Sequence, residues 1–315
     1  MNWLMAHRTA GIAATNLRTR LGISEDSYVD VFEALRRCGL AVRGDDEPGL
    51  FGLYFPAMPG RYGGIFLNST MSEATIRHTA GHELGHAEFG HERCVAEGPD
   101  PFRGLAPEKW PDEEKQAEAF AAWFLMPIRL VKATLLRLGL DIPREAMDVY
   151  QLSLHLGASY KGTLRHLRHL RLVDPKTAGG WTNVQPARLR ARLSAKTEPT
   201  PPRIWDLTGL TEGSRLAVEE GDRLIVRAPW LGHDPEYAGP TALQMRPAPH
   251  AVAPGKGAEF DIGGPIVSES LLTVTARGSG ETWSVTLLPT PRDHQGPLAA
   301  GRPDLLIGPA SGARR

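Results

Sequence analysis

The sequence predicts an α+β protein with a mixed first segment, a helical middle segment and a mostly β third segment. Three observations support this fold class. A strand-like run precedes a helix that carries two histidines, a glycine separates two apolar helical runs after it, and short β-patterned runs fill the last third. At 315 residues, the chain is long enough for two or three domains with buried cores.

Composition excludes several classes of protein. Lys plus Arg number 36 and Asp plus Glu also number 36, so no net charge attracts the whole chain to nucleic acid or anionic membrane. The two cysteines, Cys38 and Cys94, form no C-x-x-C pair, which is typical of a reducing compartment. No run reaches the roughly 18 apolar residues of a spanning helix, and the start lacks a signal-peptide core. We therefore expect a soluble, cytoplasmic protein without a membrane partner.

The mixed segment contains the sequence HELGH, which places His82 and His86 four residues apart. Residues four apart lie on one face of an α-helix, so both imidazoles can bind one tetrahedral cation. Glu83 lies beside them, where a carboxylate can act as the catalytic acid and base. A helix from about residue 71 to 89 and a zinc-dependent peptidase are the resulting predictions. Another divalent metal in the cell is compatible with the same ligands.

The boundaries of this helix also have sequence signals. Thr70 and Glu73 form a T-x-x-E pattern, which predicts a capping box at the start of the helix. Immediately upstream, residues 63–68 predict a short strand closed by a polar turn. Because an extended peptide can pair with an exposed strand, we expect the substrate to lie along the strand that contains Ile65.

A third metal ligand is expected from a second helix, which begins after Pro111 and ends before Pro127. Its apolar stripe consists of Ala117, Phe120, Ala121 and Phe124. Glu113 lies one turn before Ala117 on that stripe, so we predict Glu113 as the ligand. Glu114 and Glu118 are alternatives, although surface charge explains them more simply. His91 misses by one residue the register of the extended motif with a third histidine.

The segments HTAGHELGHAEFGH and EKQAEAFAAWFLMP together resemble the signature of the ImmA/IrrE family of metallopeptidases. The resemblance implies a zincin-like HExxH metallopeptidase domain over residues 1–127, with zinc bound by His82, His86 and Glu113 and with Glu83 as the catalytic residue. The chain departs from the common family pattern at two positions, where Gln116 and Glu118 replace the usual Glu and Asn.

The same resemblance implies a partner. Family members cut helix-turn-helix repressors, so the expected substrate is an XRE-type, DdrO-like repressor. Its cleavage would induce DNA-repair genes in the response to radiation. Likeness over the whole chain also implies a GAF-like sensor domain at residues 200–292, for which no ligand is predicted.

Residues 128–180 predict a helix-turn-helix domain, because Gly157 separates two helical runs. The second run carries basic residues that could contact DNA phosphates, Lys161, Arg165, Arg168 and Arg171. A solvated face opposite a leucine stripe explains the same charges more simply. If these basic residues do contact DNA, the alternative function is a DNA-binding transcription activator with a structural metal site and a sensor domain.

A linker rich in Pro and Gly is predicted from 175 to 203, with a short basic helix at about 187–195. Five strands are predicted beyond it, at 223–227, 242–245, 259–262, 271–275 and 282–288. Residues 293–315 have the composition of a disordered tail.

Overall fold

The computed structural model describes residues 1–59, 63–92, 106–194, 199–232, 235–246 and 256–289. The chain divides into two compact units, the first comprising Met1–Val131 and the second Lys132–His294. The first boundary lies four residues beyond the predicted domain end at 127. The helix-turn-helix and β segments, predicted as separate domains, fall within the same unit. Cys94 and the predicted tail at 293–315 lie outside the described residues.

The first unit combines helices with one small sheet. Its elements are α1 (Trp3–Arg20), α2 (Val31–Arg37), β1 (Ala41–Asp45), β2 (Gly52–Phe55), β3 (Gly64–Asn68), α3 (Glu73–Phe89) and α4 (Asp112–Leu125), followed by α5 (Ile128–Arg137), which crosses the unit boundary. The mixed α+β character predicted for this segment is confirmed, as are the strand before α3 and the helix before Pro127.

The sheet has the order β1-β3-β2. β3 pairs in parallel with β1 and antiparallel with β2, so both of its edges are occupied. The expectation that a substrate pairs with the strand of Ile65 is therefore wrong, because that strand is the central one. Within the described residues, β2 has a free edge, and it is the strand nearest the motif helix.

The predicted start of the motif helix needs a correction. α3 begins at Glu73, and Ser72 is its N-cap, with a side chain that accepts from the backbone N–H of Thr75. Thr70 instead donates its backbone N–H and its hydroxyl to Asn68 Oδ1, at 2.9 and 2.7 Å. Thr70 thus belongs to the turn after β3, whereas the predicted end at Phe89 is confirmed.

α1 has no counterpart in the sequence-based prediction. Its buried row consists of Ala6, Ala10, Ala14 and Leu17, spaced at helical intervals and packed against α4. Alanine contributes little to a hydrophobic pattern, so periodicity does not distinguish this face. Arg18 anchors the helix by donating to the carbonyl oxygen of Phe124 at 2.8 Å.

Helices α3 and α4 approach each other closely through glycines of the motif helix. A Cβ on Gly85 would lie 3.0 Å from the Cα and 3.2 Å from the carbonyl oxygen of Ala117. One turn earlier, a Cβ on Gly81 would lie 3.4 Å from the Cβ of Ala121. The absence of side chains at these glycines lets the two backbones pack at short range.

A methyl group at Gly85 should separate these helices. We expect Gly85→Ala to lower the free energy of unfolding by about 1–2 kcal/mol, because overpacking outweighs the gain in helix propensity. Urea unfolding monitored by circular dichroism measures the change. Gly179→Ala is the matched control, since a Cβ at this helical glycine meets nothing within 4 Å. A stability loss as large in the control would contradict close packing as the cause.

Besides the end of α5, the second unit contains four α-helices and eight strands within its described residues. They are α6 (Ala146–Leu156), α7 (Tyr160–His169), α8 (Pro175–Thr182), α9 (Pro186–Leu193), β4 (Ile204–Thr208), β5 (Arg215–Ala217), β6 (Arg223–Arg227), β7 (Glu236–Ala238), β8 (Leu243–Met245), β9 (Gly257–Ile262), β10 (Ser270–Thr275) and β11 (Thr282–Leu288). Gly157 adopts the left-handed conformation between α6 and α7. The predicted helix, glycine turn and helix are therefore confirmed.

The strands form two four-stranded sheets, with the orders β5-β11-β10-β7 and β4-β6-β9-β8. All five predicted strands are confirmed, whereas the short strands β4, β5 and β7 were not predicted. No α-helix lies between β4 and β11 in the part of this segment that the structure describes, so the GAF-like architecture is not confirmed. The short basic helix predicted within the linker is confirmed as α9, whereas α8 in the same segment was not predicted.

Helix α6 is attached to the first strand of the β segment by side-chain hydrogen bonds. Gln151 donates to the carbonyl oxygen of Ile204 at 3.0 Å and accepts from the N–H of Asp206 at 2.9 Å. The hydroxyl of Tyr150 accepts from the N–H of Ile204 at 3.0 Å. These contacts explain why the helical and β segments form one compact unit.

His155, also on α6, should make this unit sensitive to acid. Burial, assisted by the charge of Arg137, lowers the pKa of His155 to about 4. Between pH 6.5 and 4 the unfolded chain therefore binds a proton that the folded chain does not, so stability falls as pH falls. We expect a loss of about 2–3 kcal/mol between pH 7 and 4.5 from this group. Urea unfolding at both pH values measures this loss. If the stability of His155→Leu depended on pH as that of the wild type does, His155 would not be its source.

Crossing a membrane requires a helix of about 20 mostly apolar residues. Among the described residues, no single helix is long and apolar enough to cross a membrane. Helices α4 and α5, which are bent by 41° at the break between them, reach that length and apolarity only when they are taken together.

Candidate metal and peptidase site

Two histidines and one glutamate converge where α3 passes α4. The Nε2 atoms of His82 and His86 are 3.0 Å apart. Glu114 lies against both, with Oε2 at 3.2 Å from His82 Nε2 and Oε1 at 3.5 Å from His86 Nε2. One ligand atom from each residue falls within 4.8 Å of the others, so the three side chains can hold one metal ion.

The structure places Glu114, and not the predicted Glu113, in this group. The prediction assumed that the apolar row through Ala117 faces the metal site. The two helices run antiparallel, however, and their buried rows meet at Gly85 and Ala117. The histidines therefore face the neighbouring row at the border of the apolar contact, which carries Glu114 and Glu118.

The donor set and its spacing fit a zinc ion. Two imidazole nitrogens and a carboxylate are common zinc ligands, and tetrahedral coordination at about 2.1 Å separates ligand atoms by about 3.4 Å. The two imidazole nitrogens lie 3.0 Å apart, and each has a different oxygen of Glu114 near that distance, Oε2 at 3.2 Å from His82 and Oε1 at 3.5 Å from His86. With the three ligands found among the described residues, a tetrahedral ion would keep one position for solvent or substrate, which is typical of catalytic sites.

The electrostatics of the group favour a positive charge between the ligands. Burial opposes a charged His82, but the Glu114 and Glu118 carboxylates raise the pKa of His82 well above its usual value. Burial would raise the pKa of Glu114, yet hydrogen bonds to both histidines hold it well below its usual range. Burial lowers the pKa of His86. A metal cation requires an ionised carboxylate and neutral imidazoles, so Glu114 and His86 already have the protonation states of ligands, whereas a cation would have to displace the proton that the carboxylates hold on His82.

Glu83 lies between the motif helix and strand β2. A Cβ on Gly52 would come 3.0 Å from Glu83 Oε1, so the strand passes directly over the carboxylate. The backbone N–H of Tyr54 donates to it. Burial raises the pKa of Glu83 to about 7, although the charge of His82 opposes this shift. A carboxyl group with a pKa near neutrality can both accept and release a proton at physiological pH.

Each ligand imidazole has a second polar partner on its other ring nitrogen. Glu118 Oε2 lies 3.6 Å from His82 Nδ1 and 2.8 Å from His78 Nε2. His78 is therefore paired with Glu118 and is not a ligand. His91 lies 2.9 Å from His86 through the two Nδ1 atoms. Sequence reasoning considered His91 only as a ligand and missed this contact.

Comparison with known protein families identifies the segment that carries this site. Residues 49–161 match the family model Peptidase_M78, the IrrE N-terminal-like domain. The matched segment is roughly a third of the chain and contains α3 and α4, with all four site residues. Comparison with curated proteins found no similar sequence.

The match supports a peptidase of the ImmA/IrrE type. It agrees with the family resemblance of the two motif segments, and the His-His-Glu group is consistent with the metallopeptidase character of that family. The helix-turn-helix turn lies within the matched residues, whereas the β segment lies beyond them.

Proposed function

We propose that the chain is a zinc-dependent endopeptidase, with His82, His86 and Glu114 as metal ligands and Glu83 as the catalytic acid and base. One observation carries the proposal. The three ligand atoms lie within 4.8 Å of one another on two tightly packed helices, and a buried carboxylate adjoins them. Helices that approach this closely hold the ligand geometry before any metal binds.

The chemistry divides between the metal and Glu83. When bound, a zinc ion supplies Lewis acidity, which lowers the pKa of water and polarises a peptide carbonyl. Glu83 would take the proton from the attacking water on its carboxylate and deliver it to the departing amine nitrogen. The Tyr54 N–H and the close approach of Gly52 hold that carboxylate in place during both transfers.

An extended substrate segment would bind along β2. This strand has a free edge among the described residues and adjoins Glu83. Exposed apolar side chains at its end and on either side of it, Phe55, Phe51 and Met58, offer apolar contacts. A peptide that adds to a sheet edge forms backbone hydrogen bonds and must be locally unfolded to do so. Cleavage should therefore fall in a flexible segment of the partner.

We propose an XRE-type, DdrO-like repressor as that partner, with induction of DNA-repair genes after radiation damage as the outcome. The resemblance of the motif segments to the ImmA/IrrE family supports this proposal, and the IrrE N-terminal-like match is consistent with it. The finer identity suggested by the resemblance, the radiation-response metalloprotease IrrE of Deinococcus, stays a prediction, as do a cytoplasmic location and a sensor ligand of the β segment.

A DNA-binding activator with a structural metal site is the second candidate. The observation in its favour is the exposure of Lys161, Arg165 and Arg168 on α7, which follows the glycine turn. Two observations weigh against it. Structural zinc usually has four protein ligands, while this group has three among the described residues, and α6 has a packing role against β4. Gel-shift titrations in rising salt test this candidate. If the chain binds no DNA sequence more tightly than a random duplex, specific DNA recognition is excluded.

A single assay tests the proposed function. The purified chain is incubated with zinc and an XRE-type repressor from the same genome, with and without a chelator. We expect one discrete truncated repressor product, lost with chelator and restored by added zinc. An intact repressor in the presence of bound zinc would contradict this substrate, and cleavage that survives the chelator would contradict the metal mechanism.

A further inference from the structure

His91 stands behind the imidazole of His86, on the ring nitrogen that faces away from the ligand group. His86 Nε2 faces Glu114 and His82, whereas His86 Nδ1 lies 2.9 Å from His91 Nδ1. On the far side of the second ring, His91 Nε2 lies 3.3 Å from Gln116 Oε1. Three side chains therefore form a line that starts at a ligand atom and ends on α4.

The backbone holds His91 in this line. Gly90 ends α3 in the left-handed conformation, with φ of 65°, and the chain then turns back over the last helical turn. The backbone N–H of His91 donates to the carbonyl oxygen of His86 at 3.0 Å. Phe89 stacks on the His91 ring, with centroids 5.6 Å apart. His91 is thus tied to His86 through both backbone and side chain, and it is buried.

The proton positions along this line follow from the atoms at its ends. A His86 that binds a cation through Nε2 must carry its proton on Nδ1. His91 Nδ1 must then accept that proton in a hydrogen bond, so the proton of His91 lies on Nε2. Nε2 faces the carbonyl oxygen of the Gln116 amide, which accepts it. The opposite assignment would direct an N–H of His86 at the metal position and leave a lone pair of His91 facing an oxygen.

We propose that His91 is a positioning residue that fixes the tautomer and the ring orientation of His86, with Gln116 holding His91 in the accepting state. The inference rests on the metal site of the proposed function. Metal-binding histidines commonly donate their second ring N–H to an acceptor, and this partner makes the ring a better ligand. A neutral imidazole takes that place here, whereas the outer partner of His82 is the carboxylate of Glu118.

Three variants separate hydrogen bonding from packing. His91→Leu removes the acceptor, while His91→Asn keeps an oxygen near the position of Nδ1. Glu92→Gln is the control, since Glu92 is the next residue and its side chain is exposed. The dissociation constant for Zn²⁺ is measured by competition with a chromogenic chelator, and the visible spectrum of the Co²⁺-loaded protein reports ligand geometry. Thermal unfolding of each metal-free variant reports folding.

We expect His91→Leu to weaken Zn²⁺ binding by about 10–100-fold and to alter the Co²⁺ spectrum. His91→Asn should recover most of the affinity, and Glu92→Gln should leave it unchanged. Gln116→Leu, which keeps His91 itself, should weaken binding less than His91→Leu. It also provides the test if His91→Leu fails to fold.

The outcomes distinguish this inference from the function on which it rests. A wild-type chain that binds neither Zn²⁺ nor Co²⁺ overturns the proposed function and, with it, the inference. A wild-type chain that binds zinc, together with a folded His91→Leu variant of equal affinity, overturns only the inference. Equal losses in His91→Leu and His91→Asn overturn it too, because packing would then explain both.

Discussion

Glu83→Gln should abolish repressor cleavage while metal binding persists. The amide keeps the size of the carboxyl group but cannot accept a proton, so we expect the rate to fall by about 10²–10⁴-fold or more. The ligands His82, His86 and Glu114 are untouched, and zinc affinity should stay within a few-fold of wild type. Cleavage is measured with purified repressor under single-turnover conditions, and zinc affinity by chelator competition.

The control for this variant is Glu88→Gln, which changes a glutamate on the same helix that pairs with Arg20 at 2.6 Å. It should leave the cleavage rate near wild type. A Glu83→Gln chain that still cuts the repressor at a comparable rate would assign the proton transfer to another group. A variant that loses zinc together with activity would instead place Glu83 in metal binding.

Glu114→Gln should have the largest effect on zinc affinity among the glutamates of α4. It removes the only anionic ligand of the described His-His-Glu group, so the loss should exceed the 10–100-fold that is typical of outer partners, and we expect at least about 100-fold. The matched variant Glu113→Gln changes the preceding residue and should alter affinity only slightly. Chelator competition on both variants measures the difference directly.

These two variants distinguish Glu113, the ligand predicted from sequence, from Glu114, the ligand that the structure favours. If Glu113→Gln greatly weakened zinc binding and Glu114→Gln changed it little, Glu113 would be the ligand, as the sequence predicted, and α4 would have to be rotated differently. Equal, small losses in both would show that neither carboxylate binds the metal. Thermal unfolding of the metal-free variants separates these cases from loss of folding.

Local chemistry made the centre of the site predictable. His82, Glu83 and His86 follow from the spacing of one motif, because a helix brings residues four apart to the same face whatever surrounds it. Pro111 and Pro127 delimit the second helix for an equally local reason, and alternating apolar residues identified the longer strands of the β segment. Each of these inferences depends on backbone geometry within a few residues, and the structure confirms the helices and strands concerned.

Relations between distant elements were decided only by tertiary structure. Glu113 and Glu114 both lie near the apolar stripe of α4, and the rotation set by contact of Gly85 with Ala117 selects Glu114. Ile65 is paired on both sides, by β1 and by β2, which lie elsewhere in the sequence. The strand edge that remains free beside Glu83 is therefore that of β2. His91 and Gln116 meet across 25 positions. The sequence by itself thus determined the motif, its helix and the class of chemistry, because these depend on neighbours in the chain. Packing determined the third ligand, the free strand edge and the partners behind the imidazoles, because these depend on neighbours in space.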